Sequence, residues 1–213
     1  MQRKLLALLL LVALLTACAP QATPTTAPAS TEVALTTAPA TEAPTAIPAD
    51  TTITLTDGLG REVKLTGPAQ RVVSLAPSNT EILFAVGAGP QVVGRDEFSD
   101  YPAEAAAVDS VGGSMGQYSA EAIVALKPDL VLAAEINTPE LVKQLEDLGL
   151  TVYYLKNPTT LEEMYVNLEI VGQLTGQDVT ELVDSLKARV QAVDEKIAPL
   201  SSRPTVFYEI DAT

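Results

Sequence analysis

The sequence predicts an α/β fold, a parallel sheet covered by helices on both faces and followed by one long helix. Three observations carry that expectation. Short, apolar runs at 71–75, 91–94, 129–133 and 151–155 alternate with helix-patterned stretches. Strands apolar on both faces belong in a sheet buried on both sides. After the fourth run the alternation stops, and residues 178–198 carry Leu182, Leu186, Val190, Val193 and Ile197 at helical spacing, enough for a helix about 30 Å long. A last apolar run at 205–210 reads as a lone strand of the kind that belongs to a second sheet. The result is a Rossmann-like lobe over 51–177, a long helix over 178–199, and a last piece at 200–213.

The elements follow in order. Residues 52–56 and 62–65 alternate around Asp57-Gly58-Leu59-Gly60, a turn sequence, and so form a hairpin. The first parallel strand, 71–75, runs into a helix over 79–86 that closes at Gly87. There Ser78 and Glu81 have the spacing of a capping box, the hydroxyl meeting a free amide and the carboxylate reaching back. A second short strand follows at 91–94. The helix at 119–126 stops at Lys127-Pro128, and the buried strand 129–133 comes next. Thr138-Pro139-Glu140 opens a helix whose Leu141, Leu145 and Leu148 share a face and which ends at Gly149. The fourth strand is 151–155, and Thr160 with Glu163 forms a second capping box for a helix reaching Thr175.

The amino terminus is different material. Arg3 and Lys4 precede an apolar run from Leu5 to Leu15, too short to span a bilayer comfortably, and the segment 1–17 reads as a signal peptide. It closes in Leu15-Thr16-Ala17-Cys18, which resembles the bacterial lipobox, so Cys18 is the expected lipidation site. Cys18 is the chain's one cysteine, which excludes an internal disulfide. Of residues 19–50, 24 are Ala, Pro or Thr. Such a stretch buries too little apolar area to offset its ordering entropy, so 18–50 is expected to be a lipidated, extended tether.

Charge narrows the function classes. A net charge of −14 argues against nucleic acid and polyanionic ligands, and the absence of histidine removes the commonest neutral-pH acid–base group and metal ligand. No metal site, cofactor or enzymatic activity is expected. No nucleophile–base pair and no glycine-rich phosphate loop appears.

In open parallel sheets, ligands bind beyond the carboxyl ends of the strands. The loops there are 76–79, 96–101, 134–137 and 156–158, with GGSMGQY at 112–118 as a further candidate. Within them, Ser78 and Asn79 sit at a helix start. Phe98, Asp100 and Tyr101 form an aromatic-rich loop in a chain with few aromatics. Ser114, Met115 and Gln117 occupy the glycine-flanked loop. Phe98 and Tyr101 offer flat apolar surface for a large planar ligand, although ordinary loop packing accounts for them equally. Glu121 lies in the first turn of its helix, where a carboxylate also suits the helix dipole. Glu135 and Asn137 follow the third parallel strand and are placed to face the same cleft.

Taken in order and spacing, RVVSLAPSNTEILFAVGAG, VVG, FSDYP and EAIVALKPDLVLA resemble the class III substrate-binding proteins of ABC importers, which serve cobalamin, iron–siderophore and haem uptake. SPxNTE-like and YSDYP-like motifs resemble most the cobalamin-binding branch. The resemblance implies two α/β lobes joined by one long helix, with ligand clamped between them, which makes 178–199 the connecting helix and 200–213 the start of a second, incomplete α/β lobe. It places Phe98 where that branch carries a ligand-stacking tyrosine, and Glu121 on the first-lobe glutamate that docks to permease arginines. The chain departs from the branch at Met115 and Ala134, near which those members place tryptophans. The implied function is a lipid-anchored, extracytoplasmic binding protein delivering cobalamin or a related corrinoid to an ABC permease. A ferric siderophore or haem is the alternative ligand, and a non-transport interaction lipoprotein is the alternative use of the scaffold.

Overall fold

The computed structural model describes residues 52–202 and 204–209. The expected signal segment, Cys18, the tether and residues 210–213 lie outside them. Two antiparallel strands, β1 (Ile53–Thr56) and β2 (Glu62–Leu65), form the expected hairpin. Four parallel strands follow: β3 (Val72–Ser74), β4 (Val92–Arg95), β5 (Leu130–Ala134) and β6 (Val152–Leu155). They lie in the order β4-β3-β5-β6.

Alternate residues of each strand enter opposite cores, as the two-residue strand repeat requires. Val72, Leu130, Leu132, Tyr153 and Leu155 pack on one side beneath the hairpin and the helices α1 (Pro77–Ala85), α4 (Leu161–Thr175) and α5 (Thr180–Ile197). Val73, Val131, Ala133, Val152 and Tyr154 pack on the other, beneath α2 (Ala120–Ala125) and α3 (Pro139–Asp147). The strands are buried on both faces, and that is why they read as unbroken apolar runs rather than as alternation.

Local chemistry fixes most helix ends. Thr138 caps α3, accepting from Leu141 N at 3.2 Å, and Pro139 occupies the first turn. Thr160 caps α4, accepting from Glu163 N at 3.1 Å. Glu163 reaches back one residue further than the standard box, taking the amide and hydroxyl of Thr159 at 2.6 and 2.7 Å. Gly176 ends α4 at φ 74°, a left-handed conformation that glycine adopts without strain.

Two expectations are corrected. Ser78 does not cap α1: the cap position is Ala76, with Pro77 in the first turn, and no side chain bonds the free amides there. Proline's fixed φ starts this helix instead, one residue before the serine. The apolar run at 205–210 is not a strand over its described part, residues 205–209. Val206, Phe207 and Tyr208 are exposed, and no neighbouring strand lies against them to exchange ladder hydrogen bonds. The long helix α5 is present over 18 residues. Val183 on it is buried and Leu182 and Leu186 pack against the first core, whereas Val193 and Ile197 further along are exposed.

Candidate functional site

The strand order places a switch point between β3 and β5. From β3 the chain moves outward to β4 and then returns to the other side of β3 for β5. Loops leaving the two central strands diverge above that point, which opens a crevice at the carboxyl edge. Its floor is polar and hydrogen-bonded to the backbone. Asn79, buried on α1, donates to Leu132 O at 3.1 Å. Asn137, buried after β5, donates to Leu75 O at 3.1 Å and to the Tyr118 hydroxyl at 2.9 Å. Its amide oxygen accepts from Ala134 N at 2.8 Å, and Tyr118 itself donates to Leu75 O at 2.8 Å. Burial pushes the Tyr118 phenol up from its ordinary pKa, against the opposing pull of the Asn137 hydrogen bond, so it stays a neutral donor.

Above this floor the side chains are apolar and bare. Phe98 is 60% exposed, Tyr101 67%, Ile136 70% and Met115 95%. The loops that carry Phe98 and Met115 are stitched together: Val111 N donates to Arg95 O at 2.8 Å and Glu97 N to Gly112 O at 2.8 Å. Met115 sits at φ 50° and ψ 30°. A left-handed backbone on a non-glycine residue costs on the order of 1–2 kcal/mol, and such residues cluster at ligand sites. Flanking bonds hold it: Gly113 N donates to Gln117 O at 2.7 Å and Gln117 N to Ser114 O at 2.9 Å. Ser114 and Gln117 are exposed beside it, as is Asp100 on the neighbouring loop.

Ser78, Asn79 and Tyr101 line one cavity of about 420 Å³ with Lys156, Asn157 and Pro158, backed by Ile82 and Leu168. Phe98, Ser114, Met115 and Gln117 do not line it and stand on the adjoining loops. Glu121 lies elsewhere. It is exposed on α2, whose cap Ser119 accepts from Ala122 N at 3.1 Å, and it borders a shallow concavity with Val124, Gln144 and Leu148. Val124 and Leu148 are both exposed.

Sequence reading missed three parts of this edge. Tyr118 was the end of a loop motif with no sign of its inward hydroxyl. Ile136 is an aliphatic tip in an otherwise polar loop, a signal that was available. Asp96 and Ser99, both buried, bond each other, and Ser99 also meets Thr80, 19 residues away, a contact with no local trace.

The pattern of the periplasmic binding protein family matches residues 72–212, and the chain belongs to that family. It has the class III fold of these solute-binding components of transport systems, in part. The Bacillus subtilis uncharacterized ABC transporter substrate-binding lipoprotein YvrC is 36% identical over 146 residues, 65% of this chain and 46% of that protein. Among solved structures, the periplasmic vitamin B12 binding protein BtuF of Vibrio cholerae is 33% identical with a TM-score of 0.53, over 62% of this chain and 52% of that one. A periplasmic heme binding protein from Pseudomonas aeruginosa is 30% identical at a TM-score of 0.53, over 61% and 46%. The chain spans about half the length of the curated relatives it matches.

Proposed function

We propose that the chain supplies the first lobe of an extracytoplasmic solute-binding lipoprotein that delivers cobalamin or a related corrinoid to an ABC permease. The observation that carries this reading is the exposed apolar pair Phe98 and Tyr101 standing over an edge whose buried polar groups are already paired. A floor whose buried amides bond the backbone and a rim of bare aromatic and thioether surface suit a large ligand held by its faces rather than by charge. The acidic balance of the chain disfavours anionic ligands, and a corrinoid's amide-rich periphery carries little net charge. Vitamin B12 in the name of the Vibrio cholerae protein supports the same ligand class.

In this reading Cys18 carries the lipid, 18–50 is the tether, and Glu121 meets the permease beside the exposed Val124 and Leu148. The exposed far half of α5 leads to a second lobe that closes on the ligand. Haem is the second reading, favoured by the exposed Tyr101, a side chain able to ligate iron, and by the Pseudomonas aeruginosa heme binding protein. Titrating the protein in parallel with cyanocobalamin, hemin and a ferric siderophore separates the readings. The proposal expects cyanocobalamin to bind most tightly. A flat cyanocobalamin titration beside tight hemin or ferric-siderophore binding overturns the ligand choice.

A further inference from the structure

Four side chains buried under the aromatic loop form a continuous hydrogen-bonded line that neither the floor nor the rim explains. Ser74 ends β3, Thr80 lies on α1, and Asp96 and Ser99 lie on the turn after β4; all four are at most 1% exposed. Thr80 Oγ1 stands 2.8 Å from Ser74 Oγ and 2.8 Å from Ser99 Oγ. Ser99 Oγ in turn donates to Asp96 Oδ2. A carboxylate only accepts and each hydroxyl has one proton, so Ser99 directs its proton to Asp96, and the single Thr80 proton, aimed at Ser74 Oγ, is shared between Ser74 and Ser99. The other carboxylate oxygen of Asp96 accepts from Phe98 N at 2.9 Å.

The backbone alone leaves this turn thinly held. Asp96 N reaches Ser74 O at 2.9 Å and Glu97 N reaches Gly112 O at 2.8 Å, but beyond them only a 3.3 Å contact from Ser99 N to Asp96 O closes the turn. The position of Phe98 therefore depends on the Asp96 carboxylate, and the carboxylate on Ser99 and Thr80. We propose that Thr80, Ser99 and Asp96 are positioning residues whose buried hydroxyl line locks the turn presenting Phe98 to ligand. This physically joins the SNTE and FSDYP stretches: Thr80 of one bonds Ser99 of the other. The inference rests on the reading of this edge as a ligand wall, but its first readout does not need a ligand.

Backbone amide exchange is measured across the full chain for wild type, Thr80→Val, Ser99→Ala and Thr80→Ser. Thr80→Val keeps the side-chain shape and removes the hydroxyl that joins Ser74 and Ser99. It is expected to speed exchange at Glu97, Phe98 and Ser99 about tenfold while β5 amides stay as protected as before, the mark of a local opening. Thr80→Ser restores the donor and returns the turn to wild-type rates. The dissociation constant of whichever probe binds wild type, cyanocobalamin or hemin, is expected to rise about tenfold in Thr80→Val and to recover in Thr80→Ser, as loss of one buried hydrogen bond implies. Unchanged exchange at the turn in both Thr80→Val and Ser99→Ala overturns the proposal. So does a rise shared evenly with β5, which marks a role in general stability alone. Wild type that binds neither probe refutes the ligand reading, and the exchange data still decide the lock.

Discussion

Two buried aspartates begin two turns, and their partners differ in kind. Asp57, in the hairpin turn, accepts from Leu59 N and Arg61 N at 3.0 Å each, from Tyr154 N at 3.2 Å, and from the Arg61 guanidinium. Arg61 also bonds Val152 O at 3.2 Å and pairs with Glu146 at 2.6 Å. With Gly58 N donating to Tyr154 O at 2.8 Å, this turn covers the free edge of β6 and withdraws it from pairing with other chains. The Asp96 carboxylate accepts from one amide and one hydroxyl, and the Arg95 guanidinium beside it bonds the Asp96 backbone carbonyl instead, at 2.8 Å. In the first turn the carboxylate is fastened by a full opposing charge and Leu59 is presented at the tip; in the second the carboxylate is held by neutral donors and Phe98 and Tyr101 are presented. The contrast separates a staple that holds the fold from a mount that holds a surface.

Replacing Asp57 with Ala tests the staple and carries the largest effect. It leaves Arg61 with only Glu146 and Val152 O and bares the β6 edge, for an expected loss of about 3 kcal/mol, roughly 10 °C in Tm. Ligand affinity extrapolated to the folded fraction stays unchanged, and a matching fall in affinity breaks the distinction. The same staple has a pH signature. Burial pushes the Asp57 carboxyl up, but the Arg61 side chain with the Arg61 and Tyr154 amides outweighs it, leaving the pKa below the ordinary value. A depressed carboxylate stabilises above its unfolded pKa of about 3.9 and stops doing so as pH falls through its folded value. Chemical denaturation should therefore show stability dropping below about pH 4, with a shallower drop in Asp57→Asn.

Phe98→Ala addresses the mount. With a side chain 60% exposed it leaves Tm nearly in place, yet it is expected to weaken cyanocobalamin binding by about 2 kcal/mol, roughly thirtyfold. A smaller change of opposite sign is expected at Met115, where Met115→Gly relieves the left-handed backbone and adds up to about 1 kcal/mol of stability while binding weakens. Thermal melts beside titrations read both. Glu121→Lys, far from the mount, is expected to lower uptake in cells and leave affinity in solution unchanged. Equal loss of both would make the residue merely structural.

Much of this was legible because local rules act locally. The four strands declared themselves through apolar runs, and from their ends the loops of the carboxyl edge followed. Thr138, Thr160, Gly149 and Gly176 set helix ends by chemistry visible within a few residues. Ser78 was misread because Pro77, one residue earlier, starts the helix without any side-chain cap. The run at 205–210 had the composition of a strand, but pairing is a property of neighbours and not of composition. The hydroxyl line was invisible for a similar reason: Ser74, Thr80 and Ser99 meet across separations of 6 and 19 residues that only the folded sheet brings together.

The central claim is that the carboxyl edge is a wall for ligand, and hydroxyl-radical footprinting with saturating cyanocobalamin tests it most directly. Phe98, Tyr101 and Met115 are oxidisable and exposed in the free chain, and Phe207 and Tyr208, also exposed, are built-in references. Protection concentrated on Phe98, Tyr101 and Met115 is the predicted result. Bound cyanocobalamin that leaves all three as reactive as before would contradict the account.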